Sequence, residues 1–159
     1  ASIGDLASIG DLAIIGDRAS IGDRASIGDG ASIGDGAIIG DGARIGDGAI
    51  IGYGARIGDW ASIGDWARIG DGAIIGNGAR IDDRSIIGDG ASDVADLGVT
   101  DGYRKCLYYK NDSPYIGAGC RQLTFDDAWK HWTEHKEDRR ATVAQLIFAK
   151  ALIDLKGKK

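Results

Sequence analysis

A six-residue repeat runs through the first part of this chain and limits the folds that are open to it. Residues 1–90 divide into fifteen hexapeptides with the consensus A-x-I-G-D-G, and isoleucine holds the third position in all fifteen. Alanine holds the first position in fourteen of them, with Ser85 as the exception. Side chains alternate along an extended strand, so the first and third positions face inward together. Asp-Gly at the fifth and sixth positions is typical of a turn.

The repeat unit is too small to bury its own apolar edge. A short strand followed by a two-residue corner becomes stable only when it stacks on further copies of itself, as in a solenoid. A calcium-binding nonapeptide roll needs nine residues per repeat and a leucine-rich repeat needs twenty or more, so a period of six excludes both. The pattern therefore predicts a solenoid of another kind.

The segment Ile-Gly-Asp-Gly-Ala-Ser (27–32) resembles the hexapeptide repeat of the left-handed parallel β-helix family, which includes many acyltransferases. The resemblance covers residues 1–90. It implies a mainly β fold, a left-handed triangular prism with three hexapeptides per coil and hence about five coils. The near-identity of the repeats indicates a consensus-like or engineered member, although some natural repeat proteins are almost as regular.

The repeat breaks down near residue 90 and a different segment follows. Asp82 replaces the fourth-position glycine, Ser85 replaces alanine, and Asp93 stands where the next isoleucine would be. We expect a β-helix domain over 1–96 and a small C-terminal α+β cap over 97–159, since the last repeats of a solenoid cap the stack.

Within the cap, residues 103–124 are expected to form a β-hairpin with a turn at 111–114. A helix is expected from Thr124, where Thr124 and Asp127 form a capping box, and a second one from about Ala141 to Leu155. Four apolar side chains on these helices are predicted to cover the last coil: Trp129, Trp132, Phe148 and Leu152. Cys106 and Cys120 lie almost symmetrically about the turn and would be near neighbours, either as a reduced pair or as a disulfide.

The tail also resembles the tails of uncharacterised bacterial and phage hexapeptide-repeat proteins. The resemblance rests on Ala-Gly-Cys-Arg (118–121), Phe-Asp-Asp-Ala (125–128) and His131-Trp132. It brings no known activity.

Catalytic residues are scarce. The family resemblance implies that an acyltransferase uses a histidine as general base beside a coenzyme A groove between subunits, but residues 1–90 contain no histidine, no cysteine and no inserted loop. His131, Glu134 and His135 match the H-x-x-E-H pattern of inverted zinc peptidases and are the weak metal candidates. We expect two solvent-facing histidines instead, because a third ligand and a cleft are lacking. No cofactor is expected.

Outward side chains at the second position of each repeat fall into three columns. Two of these columns carry repeated isoleucine, which is typical of an interface. We expect self-association, with a trimer favoured by analogy with the family, through the face that bears Ile14, Ile50 and Ile86. Leu6 and Leu12 flank the strand edges of the first coil, so contact through this end is the competing arrangement.

Charge and hydropathy exclude several partners. Nineteen basic residues against twenty-four acidic residues give a net charge of -5, which argues against binding to nucleic acid or to an anionic membrane through bulk charge. With no transmembrane span and no signal peptide in sight, a soluble cytoplasmic protein is expected.

The sequence thus favours a non-enzymatic, self-assembling structural scaffold. Two alternatives remain open: an acyltransferase-like hexapeptide-repeat enzyme, and a flat solenoid that binds cations, ice or another surface.

Overall fold

Short parallel strands form the repeat region in the computed structural model, which describes residues 1–100, 103–118, 121–134 and 140–156. Each hexapeptide contributes one two-residue strand at its second and third positions. These strands, β1 to β15, are Ser2–Ile3, Ser8–Ile9, Ile14–Ile15, Ser20–Ile21, Ser26–Ile27, Ser32–Ile33, Ile38–Ile39, Arg44–Ile45, Ile50–Ile51, Arg56–Ile57, Ser62–Ile63, Arg68–Ile69, Ile74–Ile75, Arg80–Ile81 and Ile86–Ile87.

Every strand pairs with the strand that lies eighteen residues away, so three hexapeptides make one coil. Ser2 lies opposite Ser20 and Ile3 opposite Ile21, and the same register continues through the stack. Three five-stranded sheets result, which we call face 1 (β1-β4-β7-β10-β13), face 2 (β2-β5-β8-β11-β14) and face 3 (β3-β6-β9-β12-β15). The chain is a left-handed parallel β-helix of about five coils, as the resemblance implied.

The first and third positions of the repeats fill the interior of the prism. From Ala19 to Ala91 the alanines and isoleucines at these positions form one continuous buried core, with Ala79 only partly buried. Burying an isoleucine side chain contributes about 1.5–3 kcal/mol, so the invariant third position supplies most of the apolar stabilisation of the coils.

The fourth position of each repeat lies directly under the corner of the next coil. A Cβ atom built on Gly58 would come within 2.6 Å of the backbone nitrogen of Asn77 and 2.7 Å of the carbonyl carbon of Gly76. Gly76 occupies the same column one coil later, and a Cβ atom there would meet nothing within 4 Å. Glycine is therefore required at the fourth position only where another coil follows.

We predict that Gly58→Ala lowers the free energy of unfolding by about 1–3 kcal/mol, because the added methyl group forces adjacent coils apart. Gly76→Ala, the matched control in the same column, should leave stability nearly unchanged. Thermal unfolding followed by circular dichroism checks both variants. Equal melting temperatures for the two would show that the close approach between coils does not limit the fold.

Aspartates at the corners join consecutive coils. The Oδ1 atom of Asp23 accepts a hydrogen bond of 2.8 Å from the backbone N–H of Asp5, and the next coil repeats this bond between Asp41 and Asp23 at 2.9 Å. The fifth-position carboxylates thus form ladders along the corners. Tyr53 interrupts one ladder, because it has no carboxylate to offer to the N–H of Asp35.

A four-stranded antiparallel sheet closes the C-terminal end of the prism. Its strands, in the order β16-β17-β18-β19, are Ser92–Thr100, Tyr103–Lys110, Ser113–Ala118 and Arg121–Thr124. Cys106, Tyr108 and Tyr115 face the coils and join their core, whereas Leu107 and Ile116 belong to a second core on the opposite side. The sheet is thus a layer between the prism and the helices.

Two helices pack on the outer side of this sheet: α1 (Phe125–Glu134) and α2 (Arg140–Lys156). Thr124 caps the start of α1, as expected, since its Oγ1 atom accepts the N–H of Asp127 at 3.2 Å and donates to the Asp127 carboxylate at 2.7 Å. The second bond joins the two side chains, so the cap is half of a capping box. Gln145 of α2 donates to the carbonyl oxygen of Leu97 at 2.7 Å and so ties this helix to β16.

The structure differs from the sequence-based expectation in what covers the last coil. Strands β16, β17 and β18 supply the contacts to the coil core, through Val94, Cys106, Tyr108 and Tyr115, and not the two helices. Trp132 is buried in the second core, Leu152 is half-buried there, and Trp129 and Phe148 are exposed.

Cys106 lies opposite Gly117, not opposite Cys120 as the near-symmetry about the turn suggested. The reason is a tight turn at Asn111 and Asp112, both of which have positive φ, where the sequence predicted a longer one. Cys120 itself lies outside the described residues.

Asp82, the one departure from fourth-position glycine, anchors the cap to the last coil. Its carboxylate accepts two hydrogen bonds from Arg104, one of 3.0 Å from the backbone N–H and one of 2.9 Å from Nε. The Arg104 guanidinium also binds Asp96, and its pKa is raised mainly by the hydrogen bond to Asp82. A side chain fits at this position because no further coil lies above it.

We predict that Asp82→Gly, which restores the repeat consensus, destabilises the cap by about 1–2 kcal/mol through the loss of these charge-assisted bonds. Asp82→Asn, which keeps an acceptor but not the charge, should have an intermediate effect. In a Trp60→Gly, Trp66→Gly background, which leaves only Trp129 and Trp132 of the cap, tryptophan fluorescence follows unfolding of the cap while circular dichroism reports on the coils. Unchanged fluorescence transitions in Asp82→Gly would contradict the anchoring role.

Candidate functional site

Face 2 combines aromatic corners with basic side chains. Its outward column is Ser8, Ser26, Arg44, Ser62 and Arg80. Trp60 and Trp66 occupy the corners on either side of β11, and they are 67% and 63% exposed. Both tryptophans have a positive φ of about 60° where most repeats have glycine, a conformation that is costly for a residue with a Cβ atom.

Each of these indole rings lies against the glycine one coil below. A methyl group at Gly42 would come within 2.6 Å of the Trp60 ring, and Gly48 has the same relation to Trp66. The two indole rings therefore form aromatic borders on either side of face 2. Arg44 and Arg80 are exposed on the strands immediately below and above Ser62. Such a surface can stack planar rings and bind anionic oxygens.

A shallow cleft lies where the last coil meets the cap sheet. Arg80, Asp82, Ser85, Arg104 and Cys106 are among its lining residues. Its free volume of about 10 Å³ has room for a single water molecule. The cleft is a packing junction and not a substrate pocket.

The Cys106 side chain in this cleft is not a nucleophile. Burial raises the pKa of its thiol to about 12, so the thiolate is not populated at neutral pH. Gly117 packs so closely that a Cβ atom there would lie 2.8 Å from the Cys106 sulfur. Tyr108 beside it has a raised phenol pKa, also from burial, and donates to Gln122 Oε1 at 2.8 Å. These groups hold the cap in place.

The histidine motif lies on α1. His131 is half-buried, packs edge-on against Trp132 with ring centroids 5.2 Å apart, and has its Nε2 atom 3.5 Å from Arg121 Nη1. Glu134 is exposed at the end of the helix, and His135 lies outside the described residues. Over the four described ranges, no three His, Cys, Asp or Glu side chains gather in a group that could hold a metal ion.

The proposed interface residues lie on the surface of the coils. Ile14 and Ile50 are exposed on face 3, whereas Ile86 is half-buried beside the cap. Leu6 and Leu12 are 81% and 91% exposed at the corners of the first coil, again with positive φ. Neither helix in the described part of the chain is long and apolar enough to span a membrane.

A family model described as the GMPPB C-terminal domain matches residues 1–92. The chain belongs to this family. The match covers all fifteen hexapeptides and ends where β16 begins to leave the coils. No curated protein has a detectable match to the sequence.

The solved structures whose alignments cover most of this chain include the following two. One is a hexapeptide transferase family protein from Anaplasma phagocytophilum, with 14% identity, a TM-score of 0.36, and coverage of 96% of this chain and 78% of that one. The other is a putative acetyltransferase from Bacillus cereus, with 20% identity, a TM-score of 0.29, and coverage of 96% and 81%.

The prediction that the chain is not an enzyme is wrong at the level of the family. It rested on the absence of histidine from the coils, but the GMPPB C-terminal domain family points to nucleotidyltransferase-related enzymes. The absence of histidine gives information only on the chemistry of the coils themselves. It does not describe the enzyme class in which such coils occur.

Proposed function

We propose that the chain is the structural β-helix module of a transferase-related enzyme, and that it brings copies of itself together through its flat faces. The family match over residues 1–92 is the observation that carries this proposal. The coils contain no histidine, so the reacting groups come from outside them, while the coils hold subunits in a fixed arrangement.

The surface chemistry of the faces supports a role in subunit contact. Second-position side chains are serine, isoleucine and arginine only, and the fourth position is glycine except at Asp82. Face 3 therefore offers a flat surface with Ile14 and Ile50 exposed beside Arg68. Apolar and arginine side chains are typical of the centre of an interface. By analogy with the family, we propose a trimer through this face.

We predict that replacing Ile14, Ile50 and Ile86 together with serine lowers the mass in solution and leaves the circular dichroism spectrum unchanged. Serine already occupies the same column at Ser32, so the coils tolerate it. Mass is measured by multi-angle light scattering. The matched control replaces Ile38 and Ile74 of face 1 with serine and should retain the parent mass.

Two outcomes would contradict this proposal. A parent protein at the mass of one chain, 16.6 kDa, would exclude self-association. A face 3 variant that keeps the parent mass would exclude face 3 and leave the end of the prism at Leu6 and Leu12 as the contact.

A second candidate function is acyl-coenzyme A binding, as in an acyltransferase-like enzyme. The observation that favours it is face 2, where Trp60 and Trp66 border a column with two arginines. An indole ring stacks on a purine, which stabilises binding by about 1–3 kcal/mol, and guanidinium groups bind phosphates.

We predict that acetyl-coenzyme A quenches the fluorescence of the exposed tryptophans on binding. Arg44→Ser should weaken this binding about tenfold, as expected for the loss of one charge-assisted hydrogen bond. Arg56→Ser removes the same charge from face 1 and should have no effect. Calorimetry that detects no heat at millimolar acetyl-coenzyme A would reject this candidate.

A further inference from the structure

Asparagine replaces aspartate at one corner of the last coil. Thirteen of the fifteen fifth positions hold aspartate, and Tyr53 and Asn77 are the exceptions. Asn77 ends the ladder that runs through Asp23, Asp41 and Asp59, and its Oδ1 atom accepts a hydrogen bond of 3.0 Å from the backbone N–H of Asp59. The side-chain carbonyl therefore takes the place of a carboxylate oxygen. The amide nitrogen beside it is a group that no aspartate of the ladder has.

The residue after Asn77 makes this asparagine reactive. The backbone nitrogen that follows an asparagine can attack the side-chain amide carbon and displace ammonia. A side chain on that following residue hinders the attack, and Gly78 has none. The chain's other asparagine, Asn111, precedes Asp112, so the same attack is hindered there. Asn77 is consequently the asparagine of this chain that loses its side-chain amide most readily.

The end of the stack leaves this corner open to water. Asn77 and Gly78 are exposed, whereas Asp59, one coil earlier, is half-buried. Cβ atoms built on Gly76 and Gly78 would meet nothing within 4 Å. Neither of these positions is covered by another coil or by the described part of the cap. Water can therefore reach the carbonyl carbons that take part in the reaction.

Two hydrogen bonds to Asp59 restrain the reacting groups. The N–H of Gly78 donates to the carbonyl oxygen of Asp59 at 2.8 Å, while Asn77 Oδ1 accepts from the N–H of the same residue. The attack turns the Gly78 nitrogen towards the Asn77 side chain, so the first of these bonds must break. The corner then opens locally, and a local opening costs less free energy than unfolding of the whole chain.

We propose that Asn77 is a site of spontaneous deamidation, and that the corner of the last coil sets its rate. The Gly78 nitrogen bonds to Cγ of Asn77, the Cγ–Nδ2 bond breaks, and ammonia leaves with the proton of the Gly78 N–H. Water then adds to the resulting cyclic imide. It cleaves the bond from the nitrogen either to Cγ, which gives aspartate, or to the backbone carbonyl carbon, which gives isoaspartate.

The two products differ in their effect on the corner. Aspartate restores the repeat consensus, and its carboxylate can accept the N–H of Asp59 as Asp59 accepts that of Asp41. Isoaspartate lengthens the main chain by one carbon, so the corner cannot keep both bonds to Asp59 in their present geometry. Either product adds a negative charge to the ladder. The reaction goes beyond the proposed function, because it concerns a corner and none of the three faces.

Mass spectrometry of the full-length chain tests the proposal. The folded protein, and the same protein unfolded in guanidinium chloride, are incubated in mildly alkaline buffer and then digested with trypsin. Cleavage after Arg68 and Arg80 gives peptide 69–80, in which Asn77 is the only side-chain amide. We expect the acid form of this peptide to accumulate in both samples, about tenfold or more slowly in the folded protein.

The chain offers matched controls. Gly78→Leu is tolerated by the corner, since Leu6 occupies the same corner position of the first coil with a similar positive φ. The leucine side chain hinders the attack and should slow deamidation about tenfold or more in folded and unfolded protein alike. Asn111 should keep its amide longer than Asn77 in the unfolded protein. Asn77→Asp makes one product directly and should fold with the melting temperature of the parent.

Three results would overturn the proposal. A folded chain that shows no acid form over many half-times of the unfolded chain would show that the coil blocks the site. Equal rates in the folded and the unfolded protein would show that the corner does not set the rate. Gly78→Leu that reacts as fast as the parent would exclude attack by the Gly78 nitrogen. None of these measurements depends on self-association, so the face 3 variants test the proposed function separately.

Discussion

The close contact between consecutive coils determines most features of this protein. The chain returns to the same corner every eighteen residues, and there the backbone of one coil rests on the fourth-position glycine of the coil below. Any side chain would prevent the approach that places each corner aspartate within hydrogen-bonding distance of the preceding coil. Glycine at the fourth position and aspartate at the fifth are thus two parts of one contact. The flat faces follow from it.

The repeat made the prism predictable, but it could not predict the junction with the cap. A period of six residues, with isoleucine at the third position of each hexapeptide, defines the coils, their register and their outward columns. The helices also begin and end close to the expected residues, and the start of α1 was predictable because its cap at Thr124 is local in sequence. Strand β16 was not predicted, because apolar and polar residues do not alternate regularly in Ser92–Thr100. Its strand conformation is stabilised by pairing with β17. Likewise, Asp82 stood out as an exception to the repeat, but its partner Arg104 became visible only in the structure.

The candidate site was harder to predict than the fold for a physical reason. The sequence shows which groups a segment has, and the absence of histidine from the coils was correctly recognised. Catalysis, however, depends on the assembly in which the segment occurs, and the composition of one segment does not show that assembly. On the surface of the coils the two signs of charge lie in different places. Arginine is the charged residue on the faces, and aspartate occupies most corners. Such a surface is suited to contacts between large bodies rather than to enclosure of a small molecule.

The corner ladders give the prism a direction. Each carboxylate receives a hydrogen bond from the coil before it and none of these bonds runs the other way, so the two ends of the stack are chemically unlike. At each of these corners the carboxylate points towards the first coil and the backbone N–H points towards the cap. Added coils could extend the ladders only in the same orientation, from head to tail. The stack is therefore polar along its axis, with all corner hydrogen bonds oriented in one direction.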